Sequence, residues 1–501
     1  MPAPALALAA TLVSFAVSGD RVEFTLDYGR AEITWLTANT FRYRRSLEGP
    51  LEPVRASAGA VKLTVRETPA GVLLSSGVIE VEVSRRGALV SVRKPDGSPV
   101  MSDATEPKTE DGRVVWHREM PPEVRLYGLG ARAGSGFDLR GRAVAADVPF
   151  LFSSAGYGEY HVGAGAYRFD FTGAQKYEIS APRGDYFFYY GPSPKAIFEE
   201  RHKSAAPANE ALSAYSRPLL EDSASLWQAL GEDVERLTHA ALSGILTETF
   251  PVARYARASG ELRTRVTQVA SLAPGPSLTP GEFRSRLSTF YQSYGPEKEA
   301  KGYPVWHPLP FQFPDDPECA LHADEFMLGD EMLVAPIYQP GGKRQVYLPQ
   351  GVWTNLETNE SIAGRRTITV ETASLPVFAH NGAIVPFDVS GALELHYFPR
   401  LGAEFYLLEP KIAAWSVAHA APAGDVFRLE IESKVARRYH WVVRHVEQPA
   451  SVGLEERKYM AVPSEGALGD RTWYYEATRK ELHVMADVGA GEDCVIHVQF
   501  Q

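Results

Sequence analysis

The sequence has little cysteine: Cys319 and Cys494 are the only two in 501 residues. They lie far apart, so the chain is not one of the small domains that a disulfide framework holds together. A chain of this length is expected to divide into about three domains, each with its own apolar core.

Long apolar runs are also missing. No stretch approaches the length of about 18 residues that a membrane span needs. The N-terminal segment MPAPALALAATLVSFAVSG ends in small residues, as a signal peptide does, but no Lys or Arg precedes Arg21. LVSFAV, a Gly-Asp turn and RVEFTLDY instead favour two strands of a hairpin. We therefore expect a cytoplasmic protein, with export as the alternative.

Basic residues are in the minority, 51 against 62 acidic, and the net charge is −11. No basic stripe is present, so nucleic acid is not an expected partner. The motifs G-x-x-x-x-G-K-[ST], H-E-x-x-H and C-x-x-C are absent, and the 13 histidines show no metal-ligand spacing. The sequence therefore predicts no cofactor and no metal.

Strand patterns dominate what is present. Residues 1–200 contain VEFTL, AEITWL, VKLTV and IEVEVSR between closely spaced turns, which is typical of a large antiparallel sandwich. LVAPIY, RQVYLP, TITVE and PVFAH follow within 324–387. Residues 401–501 return to strands, among them DVFRLEIES and LHVMADV. The sequence predicts several β-sandwich domains.

Two amphipathic helices interrupt the strands. The first is predicted over about Ser223 to Leu242. The second begins at a capping box, Thr279-Pro-Gly-Glu282. The predicted apolar positions are Leu226, Leu230, Val234, Leu237 and Ala241 in the first helix, and Phe283, Leu287, Phe290 and Tyr294 in the second.

Several pieces occur in a familiar order. Tyr127-Gly-Leu-Gly-Ala131, the FDLRGR loop at 137–142, the FPDD turn at 313–316 and the segment 324–387 resemble glycoside hydrolase family 31, the α-glucosidase and α-xylosidase family. Ala131 departs from the Glu of that family. The resemblance implies a mostly β chain with an α/β portion, made of four parts: a mutarotase-like sandwich (1–200), a truncated (β/α) barrel remnant (201–322), a proximal C-terminal sandwich (323–400) and a distal one (401–501).

The barrel part is short. A closed (β/α)8 barrel takes roughly 250 residues, about twice what the segment 201–322 offers. The apolar runs near Ala240 to Leu246 and Gln268 to Leu272 are candidates for its strands. An open barrel leaves strand edges and an apolar face uncovered. We therefore expect a second copy of the chain, or a protein partner, to cover them.

The catalytic motifs that the resemblance implies are only partly present. The family nucleophile is an Asp in W-x-D-M-N-E, and no such motif occurs. The acid/base pattern G-D-x-x-S-x-W is matched by Glu221-Asp222-Ser-Ala-Ser225-Leu-Trp227. Asp222 is thus the acid/base-equivalent residue and Trp227 a substrate-binding one. Asp222 also directly precedes a predicted helix, so it is alternatively the N-cap.

A later motif also resembles the family. Arg265-Val-Thr-Gln268, followed by Pro274, is similar to R-W-x-Q…P, which makes Arg265 a second substrate-binding residue. Val266 replaces the family Trp. Glu248 is a candidate base, with a solvated loop residue as the alternative.

The resemblance implies a role in α-glycoside metabolism. A retaining glycosidase needs two facing carboxyl groups, and the nucleophile is missing here. We expect a protein without its own hydrolysis that binds carbohydrate or a partner. The alternatives are an active α-glucosidase-type enzyme with a rearranged site around Asp222, and a structural subunit of another glycosidase. The sugar and the linkage stay open.

Overall fold

The computed structural model describes residues 9–53, 61–134, 136–204, 222–246, 249–273, 282–454 and 457–500. They form mostly β-structure with a smaller helical portion, which confirms the predicted fold class. They group into two compact units. The first contains the described residues up to 204 with His239–Ile245 and Lys301–Tyr303, and the second contains the rest. The division into four parts at 200, 322 and 400 stays a prediction.

The first unit begins with the predicted hairpin. Gly19 forms its turn at a φ of +64°, which favours glycine, and the flanking strands pair antiparallel. This hairpin starts an eight-stranded sheet. In spatial order its strands are Leu12–Ser18, Arg21–Leu26, Arg30–Thr37, Thr40–Ser46, Gly184–Tyr190, Tyr157–His161, Phe150–Ser153 and Leu126–Gly128.

Two five-stranded sheets accompany it. One contains Lys108–Glu110, Arg113–Glu119, Lys176–Ala181, Tyr167–Asp170 and Ala143–Ala146. The other contains Thr64–Glu67, Gly71–Ser75, Glu80–Ser84, Val90–Arg93 and Pro99–Ser102. Apolar residues of all three sheets form one buried cluster, in which the Phe41 and Phe188 rings stack with their centroids 4.8 Å apart. The Pro194–Lys203 helix follows, capped by the Ser193 side chain.

The second unit contains the strands predicted within 324–387. A six-stranded sheet consists of Trp306–Pro308, Phe326–Leu328, Met332–Val334, Val377–His380, Val352–Asn355 and Ser361–Ala363. A two-stranded sheet consists of Lys343–Leu348 and Arg366–Glu371.

Two further six-stranded sheets follow in the second unit. One contains Ile384–Val389, Ala392–Tyr397, Arg437–Val443, Glu481–Val488, Thr472–Glu476 and Met460–Ala461. The other contains Ala403–Glu409, Ala414–Ala423, Val426–Glu432, Asp493–Gln499, Ser451–Leu454 and Arg457–Lys458. Ala392–Tyr397 pairs in parallel with Arg437–Val443. Strands from both sides of position 400 therefore share one sheet.

The helices agree well with the predicted patterns. The first amphipathic helix spans Ser223–Leu242, and all five of its predicted apolar residues are buried. Leu287 and Phe290 of the second predicted face are fully buried, while Thr279 lies outside the described residues. None of the helices in the described ranges combines the length and hydropathy of a membrane span. The remaining helices are Gly260–Leu272, Glu282–Arg286, Ser288–Lys301 and Leu309–Gln312, with 3-10 turns at Val252–Tyr255, Pro317–Leu321 and Glu465–Ala467.

The two strand candidates of the barrel segment were wrong. Gln268 to Leu272 lies in the Gly260–Leu272 helix, and Ala240 to Leu246 continues the end of the preceding helix. Leu272 is fully buried and Leu246 is 8% exposed, so neither forms the uncovered apolar face that we expected. Short apolar runs fit a buried helix as well as a strand, and here helical packing decided. A dimer or a covering partner stays a prediction.

Leu272 offers a test of this packing. Replacing Leu272 with Ala is expected to lower the free energy of unfolding by about 2–5 kcal/mol, because it leaves a cavity in the core that the helices share with the sheets. Urea unfolding measures the effect, and Thr264→Ala on the exposed side of the same helix is the control. A Leu272→Ala protein as stable as that control would contradict the packing.

Candidate functional site

Asp222 lies at the start of the Ser223–Leu242 helix and is exposed. Its Oδ1 accepts a hydrogen bond of 2.8 Å from the backbone N–H of Ser225, and its backbone carbonyl accepts one of 3.2 Å from Leu226. This is the geometry of an N-cap. Hydrogen bonds from the side chain and the backbone of Ser225 lower the pKa of Asp222.

These contacts bear on the predicted acid/base role. A general acid has to carry its proton at the working pH, and a lowered pKa favours the carboxylate. Within the described residues, Asp222 forms no hydrogen bond or ion pair with a second carboxyl group. Trp227 is partly buried against the core of the second unit. Glu221 and Glu248 lie outside the described residues, and the roles of Asp222 and Trp227 stay predictions.

Arg265 is 2% exposed and its guanidinium binds backbone. Nη1 donates to the carbonyls of Ala373 and Ser374, both at 2.9 Å, and Nη2 donates to that of Thr372 at 2.7 Å. Nη2 also lies 3.3 Å from Glu261. The side chain thus fastens the Gly260–Leu272 helix to the loop after residue 371. Its predicted contact with substrate stays a prediction.

Asp222 provides a measurable test of the cap. Asp222→Ala is expected to lower the stability of the protein, whereas Asp222→Asn and Asp222→Ser are expected to stay close to wild type. Asn and Ser keep a side-chain oxygen that can accept from the Ser225 backbone N–H, and Ala does not. Denaturant midpoints of the four proteins give the comparison. Equal midpoints for all of them would argue against the capping role.

The second unit contains a cavity of about 740 Å³. It lies between the helices Gly260–Leu272 and Glu282–Arg286 on one side and the strands after Leu356 on the other. Both polar and apolar residues line it. The lining residues are Gly260, Arg263, Thr264, Thr267, Gln268, Ser271, Glu282, Phe283, Arg286, Leu356, Glu357, Ser374, Leu375, Val377, Phe387, His396 and Arg444.

Arg286, His396 and Arg444 line one side of this cavity, and polar contacts connect them through Glu394. Arg444 Nη2 lies 2.9 Å from Nδ1 of His396, and Nε2 of His396 lies 2.8 Å from Glu394. A guanidinium only donates, so Nδ1 of His396 accepts and Nε2–H donates to the carboxylate. Arg286 approaches the same carboxylate at 3.4 Å and lies over the Phe387 ring, 5.0 Å from its centroid. These contacts hold the polar groups of the wall in fixed orientations.

Burial and hydrogen bonds determine the charge states of His396 and Glu394. Desolvation lowers the pKa of His396 to about 4, so its imidazole is neutral at physiological pH. Burial by itself would raise the pKa of Glu394. Hydrogen bonds from His396 and His440 outweigh it and hold that pKa well below its usual range. The wall therefore presents the Arg444 guanidinium and a neutral His396 imidazole, and the ionised Glu394 carboxylate lies behind that imidazole.

Sequence reasoning did not find this cavity. Its lining comes from segments more than 180 residues apart, such as Gly260 and Arg444. The sequence signal that could have indicated it is the alternation of apolar and ionisable residues in Ala392–Tyr397. Glu394 and His396 occupy the face opposite to Leu393 and Leu395. Two ionisable residues on one face of an otherwise apolar strand indicate a polar site beside it.

Part of the chain is similar to a known protein family and to several of its enzymes. Residues 302–385 match the Glycosyl hydrolase family 31 C-terminal domain. An alpha-glucosidase of Saccharolobus solfataricus is 35% identical over 107 residues, which are 21% of this chain and 15% of the relative. Alpha-glucosidase 2 of Bacillus thermoamyloliquefaciens is 28% identical over 202 residues, 35% of this chain and 26% of the relative. The aligned part thus spans about a quarter or less of these two enzymes.

The fold has a solved counterpart. The structure of a Flavobacterium johnsoniae GH31 dextranase complexed with glucose superposes with a TM-score of 0.81. The match covers 98% of this chain and 100% of that one, at 13% sequence identity. The likeness shows a common fold.

Proposed function

Because the chain belongs to glycoside hydrolase family 31, we propose that it binds carbohydrate in the cavity beside Phe283 and Phe387 and does not hydrolyse glycosides on its own. The observation that carries the proposal is this cavity of about 740 Å³, whose lining includes two aromatic residues and several hydrogen-bonding side chains. Small-molecule sites typically have volumes of about 300–1,000 Å³. The solved dextranase relative is complexed with glucose, which supports a sugar as the ligand class.

The lining has the chemistry that a sugar requires. A pyranose has a C–H face that packs on aromatic rings and a rim of hydroxyl groups that donate and accept hydrogen bonds. Phe283 is partly buried and forms an apolar surface of the cavity. Gln268, Glu282 and Arg263 supply donors and acceptors around it. This mixture favours a neutral sugar over a purely apolar ligand.

The proposed lack of hydrolysis depends on carboxyl groups. Double displacement at a sugar carbon needs a nucleophile and an acid about 5–5.5 Å apart. The nucleophile motif W-x-D-M-N-E is absent from the sequence, and Asp222 is an exposed, ionised helix cap. The alternative of an active enzyme around Asp222 would require an acid/base group with the opposite pKa shift. The subunit alternative predicts no sugar binding by the isolated chain.

Calorimetric titration tests the binding. The wild-type chain is expected to bind at least one sugar in a panel of glucose, isomaltotriose, maltotriose and xylose. Phe283→Ala is expected to weaken this binding roughly 2- to 10-fold, because one stacking surface is lost. Tyr406→Ala removes an exposed aromatic ring of the same unit outside the cavity, and serves as the control. Equal loss in both variants, or binding unchanged by Phe283→Ala, would place any sugar elsewhere.

A separate measurement addresses turnover. The purified chain is expected to show no hydrolysis of p-nitrophenyl α-glucoside or α-xyloside within the usual enzymatic range of roughly 1–10³ per second. The reason is the missing nucleophile motif. Turnover in that range which Asp222→Asn abolishes would establish the active alternative, since Asn keeps the cap and removes only the acid.

A further inference from the structure

Two buried histidines face each other on neighbouring strands of the second unit. His440 lies in Arg437–Val443 and His483 in Glu481–Val488. Val442 is the register partner of His483, so the two histidines lie diagonally on the same face of the sheet. They are 4% and 6% exposed, and Nε2 of His440 lies 3.0 Å from Nδ1 of His483.

Each imidazole has a carboxylate behind it. Oε1 of Glu394 lies 3.5 Å from Nδ1 of His440, and Oε2 of Glu481 lies 3.7 Å from Nε2 of His483. Both rings therefore turn one nitrogen outward to an acidic group and the other nitrogen inward to the other ring. Metal-binding histidines show this pattern, in which a carboxylate holds the distal nitrogen and orients the ring.

A third carboxylate reaches the same place. Glu465 is exposed and belongs to the short 3-10 turn Glu465–Ala467. His440, His483 and Glu465 each offer one potential ligand atom, and these three atoms all lie within 4.8 Å of one another. Because Glu465 is exposed, its side chain can rotate toward the two nitrogens without disturbing the core.

We propose that His440, His483 and Glu465 form a binding site for a divalent transition metal, with Zn²⁺ as the best match. Tetrahedral Zn²⁺ bonds nitrogen and oxygen at about 2.0–2.2 Å, which separates its ligand atoms by roughly 3.3 Å. The facing nitrogens are already 3.0 Å apart, so small ring rotations make room for the ion. Two histidines and one carboxylate leave a fourth position for water, as in open zinc sites.

The ligand types also select the metal. Imidazole suits Zn²⁺ and its first-row neighbours, whereas Mg²⁺ and Ca²⁺ prefer all-oxygen sites. The carboxylates of Glu394 and Glu465 offset the charge of the ion. The site does not depend on the proposed sugar binding, because none of His440, His483 and Glu465 lines the cavity.

Titration of the full-length, tag-free chain with ZnCl₂ tests the site. We expect one Zn²⁺ per chain and a higher unfolding temperature, since the metal binds only the folded state. His440→Ala and His483→Ala are expected to abolish this stoichiometric binding. Glu394→Gln is expected to weaken it about 10- to 100-fold, as the loss of an orienting carboxylate does.

His419→Ala is the matched control. His419 is a partly exposed histidine of the same unit with Glu404 at 3.2 Å and Glu432 at 3.7 Å, so it represents surface capture of metal. We expect the His419→Ala variant to bind Zn²⁺ as the wild type does. Wild-type chain without a stoichiometric site, or equal loss in His419→Ala and His440→Ala, would overturn the proposal.

A measurement on the unaltered chain covers the case in which a buried variant fails to fold. Co²⁺ added to the wild type is expected to give the intense visible absorption of tetrahedral coordination, and Zn²⁺ is expected to remove it by competition. Weak absorption typical of six-coordinate Co²⁺ would overturn the tetrahedral site.

Discussion

One continuous apolar core holds the second unit together. Its members come from the helices between Ser223 and Phe290 and from strands as distant as Asp493–Gln499. Burial of such surface contributes about 25 cal/mol per Å² and has no direction of its own. Helices and sheets of this unit therefore stabilise one another, and the position of Arg265 against the 372–374 carbonyls follows from that packing.

A line of polar groups lies on one face of the sheet that contains Ala392–Tyr397 and Arg437–Val443, opposite the face that packs on the apolar core. Arg444, His396, Glu394, His440 and His483 follow one another through contacts of 2.8–3.5 Å. A buried polar group without a partner costs several kcal/mol, so such residues persist where each satisfies the next. This line of contacts begins at the wall of the cavity and ends at the histidine pair.

Elements with a clear local sequence pattern could be predicted, and elements that depend on tertiary packing could not. The Ser223–Leu242 helix and the first hairpin were predictable because each has its own period and its own breaker residues. Gln268 to Leu272 was not, since a short apolar run fits helix and strand equally and tertiary packing decided. The proximity of Glu394 and His440 could not be predicted, because a parallel pairing of strands brings together two residues that lie 46 positions apart in the sequence. No local spacing indicates such a pairing.

The parallel pair of Ala392–Tyr397 and Arg437–Val443 has a consequence for where the chain can be divided. Between them the chain leaves to build Ala403–Glu409, Ala414–Ala423 and Val426–Glu432 of another sheet, and then returns. The match to the family 31 C-terminal domain ends at residue 385, inside Ile384–Val389. The end of this match is therefore not a folding boundary: a fragment cut at 385 would break a strand and remove much of the apolar surface against which the helices pack.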